Sequence, residues 1–189
     1  IKAYEYEKIK KINNKIFLFY GENNGYKNQI IKKIFIDEFR GSVERYEENE
    51  ILNNYDSFVS GLTNKSFFEE LKLILISRVT EKIVKLIDEV LDRDINDVNI
   101  ILNADILEKK SKLRAIFEKD KNLVCVPFYR DDNKTLIGFA SNFFKRKKKL
   151  ISQEAINLIV ERSSGDRMNL ENELNKISNF LINKEKISI

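Results

Sequence analysis

The chain has 189 residues, room for one large domain or for a domain with a small satellite. It is 42% hydrophobic and 34% charged with a net charge of +4, the balance of a globular protein with a substantial core and only a mild basic bias. There is no His and one Cys, which excludes His-based acid–base and Ser-His-Asp chemistry, any His-ligated metal, an internal disulfide and a Cys-x-x-Cys site.

In chain order, residues 3–10 read as a short charged helix. Ile16-Phe17-Leu18-Phe19-Tyr20 is a compact apolar run ending at Gly21, the pattern of a buried strand. The loop Gly21-Glu22-Asn23-Asn24-Gly25 follows, then a helix over 26–39 with Ile30, Ile31, Ile34 and Phe35 on one face. A weak strand at 43–46 and a helix at 51–59 come next. Strand 72–76, helix 81–91, strand 98–102, helix 109–118 and strand 123–126 complete the first part. Strands apolar on both faces, alternating with helices, predict an α/β fold with a five-stranded parallel sheet over residues 1–130.

The pattern changes after Pro127. Phe128 to Asn133 is a polar connector, and beyond it only helical periodicity remains, at 134–148, 153–163 and 169–183. Ser152 is placed as an N-cap and Gly165 as a stop, so residues 131–189 form a small three-helix domain. Cys125, inside Leu-Val-Cys-Val, reads as a small buried hydrophobe. No apolar run approaches the roughly 18 residues of a membrane helix, and the charged start does not suit a signal peptide. The expected address is cytoplasmic. The missing initiator Met suggests a trimmed chain.

Strand, Gly-rich loop and helix are the setting of a phosphate loop, G-x-x-x-x-G-K-[ST]. Here the run is Gly21-Glu22-Asn23-Asn24-Gly25-Tyr26-Lys27-Asn28. Gly21 and Lys27 are in register. Tyr26 replaces the second Gly, adding bulk where amides would wrap phosphate, and Asn28 replaces the hydroxyl that would ligate Mg²⁺. The strand expected to supply a metal-holding Asp ends Leu102-Asn103-Ala104-Asp105. Asn103 lacks the charge, Ala104 offers no base, and Asp105 comes two residues late. The site therefore reads as degenerate, with no cofactor, no metal and no catalytic residue expected. A working phosphate-loop ATPase or nucleotide kinase using Lys27 and Asp105 is the alternative.

The order of these segments resembles the clamp-loader branch of the AAA+ family, and within it the delta subunits of bacterial DNA polymerase III. The residues that carry the likeness are Phe17 to Glu22, Ile100 to Asp105 with Lys109 to Leu113, Ile151 to Ala155, Gly165-Asp166, and Leu170 to Ile177. The resemblance implies an AAA+ sheet domain followed by a helical lid, with a collar domain beyond the end of this chain. It implies no active site of the chain's own, but membership of a nucleotidyltransferase holoenzyme. The implied function is to bind and open the sliding clamp for loading onto primed DNA, alongside other loader subunits in a pentamer. Ser66, Phe67 and Phe68 align with the family's clamp-docking wedge, the other reading being that one or both Phe cap the core of the sheet. Met168 falls where ATP-using relatives carry a sensing arginine, with Arg167 beside it. The lack of a Cys-rich zinc module and the presence of the Phe pair weigh against another loader subunit such as delta-prime.

Lys145-Arg146-Lys147-Lys148-Lys149 is a basic run at a helix end. It reads either as a contact for DNA phosphate or an acidic subunit, or as a solvated helix terminus.

Overall fold

The computed structural model describes residues 14–63, 71–93, 97–181 and 186–187, so the helix expected at 3–10 lies outside the described residues. Four apolar runs and the weak strand expected at 43–46 become strands: β1 (Ile16–Tyr20), β2 (Ser42–Glu47), β3 (Lys72–Val79), β4 (Val98–Ala104) and β5 (Leu123–Pro127). They form one parallel sheet in the order β2-β3-β4-β1-β5. Phe19 of β1 lies opposite Asn103 of β4 on one side and Val126 of β5 on the other.

The helices are α1 (Asn24–Ile30), which continues as a π-helical segment (Ile31–Ile36), then α2 (Glu48–Asn53), α3 (Tyr55–Thr63), α4 (Val84–Leu91) and α5 (Lys112–Lys119). The single helix expected at 51–59 is two, because Asn54 leaves the helical region at φ −126°, ψ 39°. The helix expected from 109 starts at Lys112, since Ser111 sits in extended conformation and its hydroxyl accepts from Arg114 N. A 3₁₀ turn (Glu81–Ile83) leads into α4.

Alternation along the strands builds a core on each face of the sheet. Ile16, Leu18, Ile74, Ile76, Ile100 and Leu102 pack with Leu86, Ile87 and Val90 of α4 and with Leu113 and Phe117 of α5. On the other face Phe17 and Phe19 meet Phe35 at ring separations of 4.8 and 5.9 Å, and Phe19 meets Phe128 at 5.1 Å. Each fully buried Phe contributes about 1.5–3 kcal/mol relative to exposure.

The chain divides into two compact units, one of Ile1–Glu22 and Lys27–Phe128, the other of Asn23–Tyr26 and Tyr129–Ile189. The second contains α6 (Asn133–Arg146), α7 (Gln153–Arg162) and α8 (Arg167–Phe180). Asp132, Ser152 and Asp166 cap them, each accepting the N–H of the residue three positions on. Leu136, Ala140, Phe143, Phe144, Ile156, Val160, Leu170 and Leu174 form their shared core. A pair of two-residue strands, β6 (Leu150–Ile151) and β7 (Lys186–Ile187), is added in parallel, a feature the helical periodicity does not announce. Among the described residues no helix is long and apolar enough to cross a membrane.

Candidate functional site

β1 delivers the chain to Gly21 at φ +120°, and a Cβ there would stand 2.3 Å from Phe128 O. Only glycine tolerates both the angle and the approach. Gly21 N donates to Asp105 O at 3.0 Å, and Phe128 N donates to Tyr20 O at 2.7 Å. The turn is thus fastened on both sides by main chain.

Lys27 follows on α1, three and four residues before the buried Ile30 and Ile31, and is itself fully buried. Its Nζ donates to Ala104 O at 2.6 Å. Burial pushes the pKa of the ammonium down, against the weaker opposing pull of Asp105. The head group that would reach for phosphate is engaged with the end of β4. Asn28 and Asn103 do come together on the wall of one cavity of about 540 Å³, to which Ser77 also contributes. Gly21 and Lys27 meet the chain instead at Asp105 and Ala104.

Asn23 to Tyr26 belong to the helical unit. Asn23 is buried; its Nδ2 donates to Tyr129 O at 3.1 Å and to Asp131 Oδ2 at 2.8 Å, and its Oδ1 accepts from Tyr26 N at 3.1 Å. A Cβ on Gly25 would stand 2.8 Å from Met168 N, so this position in the first turn of α1 also requires glycine. The Arg167 guanidinium lies between the rings of Tyr26, at 4.1 Å, and Phe139, at 4.7 Å. Its Nη1 is 3.5 Å from Asp131 Oδ2, with side chains only 9% and 8% exposed, while Nε and Nη1 find no hydrogen-bond partner. Met168, the expected counterpart of a sensing arginine, is exposed, and its neighbour Arg167 is the inward one. Arg167, Leu170 and Leu174 fall at i, i+3 and i+7 on one stripe of α8. That spacing would have placed the arginine inward.

Ser66, Phe67 and Phe68 lie outside the described residues. Lys145, Arg146, Lys147 and Lys148 are exposed at the end of α6, and among the described residues none of them forms an ion pair. Lys148 turns the chain at φ +54°. No group of three or more metal-ligating side chains is found among the described residues.

No family model matches the chain. It is 24% identical over 174 residues to a Rickettsia prowazekii (strain Madrid E) protein described as "Probable DNA polymerase III subunit delta", with 91% of this chain and 52% of that protein covered. Its fold is similar to the Bacillus subtilis DNA clamp loader delta protein, with a TM-score of 0.62, 17% identity, and 98% of this chain and 59% of that one covered. The chain resembles clamp-loader delta subunits in sequence and in fold. RuvB of Thermotoga maritima (TM-score 0.57, 12% identity, 98% and 62% covered) and domain III of the Thermotoga maritima replication initiation protein DnaA (0.52, 14%, 98% and 85%) have a similar fold. The parallel α/β sheet domain is therefore of the expected class. The chain spans about half the length of its curated delta relative.

Proposed function

We propose that this delta-like chain works without nucleotide chemistry of its own, as the subunit of a DNA polymerase III clamp loader that binds and opens the sliding clamp. The likeness to delta subunits supports the assembly, and one observation supports the absence of ATP chemistry: the buried Lys27 ammonium is already taken by Ala104 O at 2.6 Å. Tyr26 stands where phosphate would need a small residue, Asn28 where metal would need a hydroxyl, and Asn103 where it would need a charged carboxylate. Gly21 remains as a structural turn. The work is then done by binding alone, the clamp opening only if its open form is bound more tightly than the closed ring.

Docking is assigned to Ser66, Phe67 and Phe68, with the basic run Lys145 to Lys149 facing DNA or a neighbouring subunit in the assembled pentamer. The test is titration of the cognate clamp with the parent chain and with a Phe67→Ala/Phe68→Ala double variant. The double variant should bind on the order of a hundredfold more weakly, about 3 kcal/mol, with an unchanged melting temperature. Undiminished affinity in a folded variant sinks the docking assignment. A low-micromolar dissociation constant for Mg-ATP by calorimetry would instead restore the ATPase or kinase reading through Lys27 and Asp105.

A further inference from the structure

β2 forms one margin of the five-stranded sheet, and among the described residues nothing pairs with its outer side. The ladder determines which backbone groups face out. Ser42 N donates to Leu71 O at 3.0 Å, and in a parallel pair the N–H and C=O of one residue point to the same side. Ser42, Glu44 and Tyr46 therefore turn toward β3, and the polar groups of Val43 and Arg45 turn outward. The next outward N–H, that of Glu47, is held by the Glu50 carboxylate at 2.7 Å. An open edge of this kind is a template for another strand.

A cavity lies beside the edge on each face. The larger, about 540 Å³, takes Arg45 and Glu47 from the strand and an apolar wall from Ile31, Ile36, Leu75 and Ile101. The smaller, about 310 Å³, takes Glu44 from the strand together with Glu50, Lys72, Phe58 and Leu62. Tyr46 borders both. An added strand sends alternate side chains to opposite faces, so it would address both cavities at once. Their chemistries differ. In the smaller, two carboxylates, Glu44 and Glu50, face the single ammonium of Lys72, which favours a basic side chain. In the larger, Lys32 and Arg45 balance Glu47 and Glu50 over an aliphatic wall, which favours an apolar one.

We propose that the outer edge of β2 docks an extended segment of a partner protein in which apolar and basic side chains alternate. A second copy of this chain is a poor occupant. Antiparallel pairing of β2 with itself, centred on Glu44 or on Arg45, sets like charges directly opposite. The inference does not depend on clamp docking at Phe67 and Phe68, and its test is separate.

The probe is a capped synthetic peptide of about eight residues alternating Val and Lys, titrated into the isotope-labelled chain while backbone amides are followed by NMR. Saturable shifts should centre on the amides of Val43 and Arg45, and a Val-Glu peptide of the same length should bind at least tenfold more weakly. Val43→Pro removes an outward N–H and no ladder bond, and should also weaken binding at least tenfold. Gly61→Leu places a side chain in the smaller cavity, where a Cβ on Gly61 meets nothing within 4 Å, and should abolish the preference for Lys over Glu. Should Val43→Pro fail to fold, Gly61→Leu decides alone. Shifts located elsewhere, no saturable binding, or full affinity and selectivity in the folded variants overturn the proposal. Concentration-dependent shifts at the edge without peptide also overturn it, assigning the edge to a second copy.

Discussion

Lys27 and Arg167 are both buried cations on the apolar stripes of their helices, and they are satisfied by different means. The ammonium of Lys27 uses one carbonyl, Ala104 O, at 2.6 Å. The guanidinium of Arg167 is held by two aromatic faces and one buried carboxylate, with Nε and Nη1 left without hydrogen bonds. A compact ammonium is strongly hydrated and needs an oxygen in direct reach, whereas a flat guanidinium sheds water more cheaply and can lie against rings. The lesson is that spacing places a residue inward whatever its charge, and the charge then dictates what must be built around it.

The largest effect should come from breaking the second arrangement. Arg167→Ala leaves the Asp131 carboxylate buried without its cation, and should cost about 3–5 kcal/mol, read as a lowered denaturant midpoint. Pairing Arg167→Met with Asp131→Leu should recover at least half of that loss, because the stranded charge is gone. A loss under about 1 kcal/mol for Arg167→Ala would mean that the rings alone hold the site.

Lys27→Met should cost less, about 1–3 kcal/mol, since it strands a neutral carbonyl rather than a charge. Its pH signature is distinct. Because the folded pKa of Lys27 is lowered, the unfolded chain binds more protons between that value and 10.5, and stability rises with pH across the window. Urea titrations of the parent and of Lys27→Met should differ by this rise.

A gentler change sharpens the contrast with sites that carry no burden. Gly138 sits inside α6 with nothing within 4 Å of a built Cβ, so Gly138→Ala should stabilise by about 0.5–1 kcal/mol in a thermal melt. The last effect, confined to alkaline pH, concerns Tyr55. Burial first, and its hydrogen bond to Glu89 second, push its pKa from 10.0 up to about 12. The stability linked to its proton is complete below pH 10 and is lost as pH rises toward 12, opposite in sign to the Lys27 trend. Tyr55→Phe should remove that alkaline decline, and a decline that persists in the variant would assign it to another group.

The strands and their order of appearance were readable because parallel strands buried on both faces leave unbroken apolar runs such as Ile16 to Tyr20. The helix cap at Ser152 was readable, since an N-cap is a local event, whereas the cap at Asp166 stood behind the Gly165 stop. The break at Asn54 was not, because its surroundings keep the helical period while one residue leaves the helical region. Within the site, the departures from the phosphate-loop pattern at Tyr26, Asn28 and Asn103 were visible position by position. The present partners of Lys27 and Arg167 were not, because Ala104 O and Asp131 are distant in sequence and only folding brings them close. Asn23 falls in the Gly-rich loop of the sequence, although an Asn three residues before Tyr26 is a familiar cap spacing.

Gly21 carries a consequence for how such chains are recognised. Its angle and its approach to Phe128 O forbid any side chain, and Lys27 answers to a neighbouring carbonyl. Both signature positions therefore carry a contact within the architecture itself. A pattern search keyed to that glycine and that lysine would rest on two residues that also make structural contacts. The informative positions are the neighbours, Tyr26, whose ring lies 4.1 Å from the Arg167 guanidinium, and Asn28, on the wall of the larger cavity.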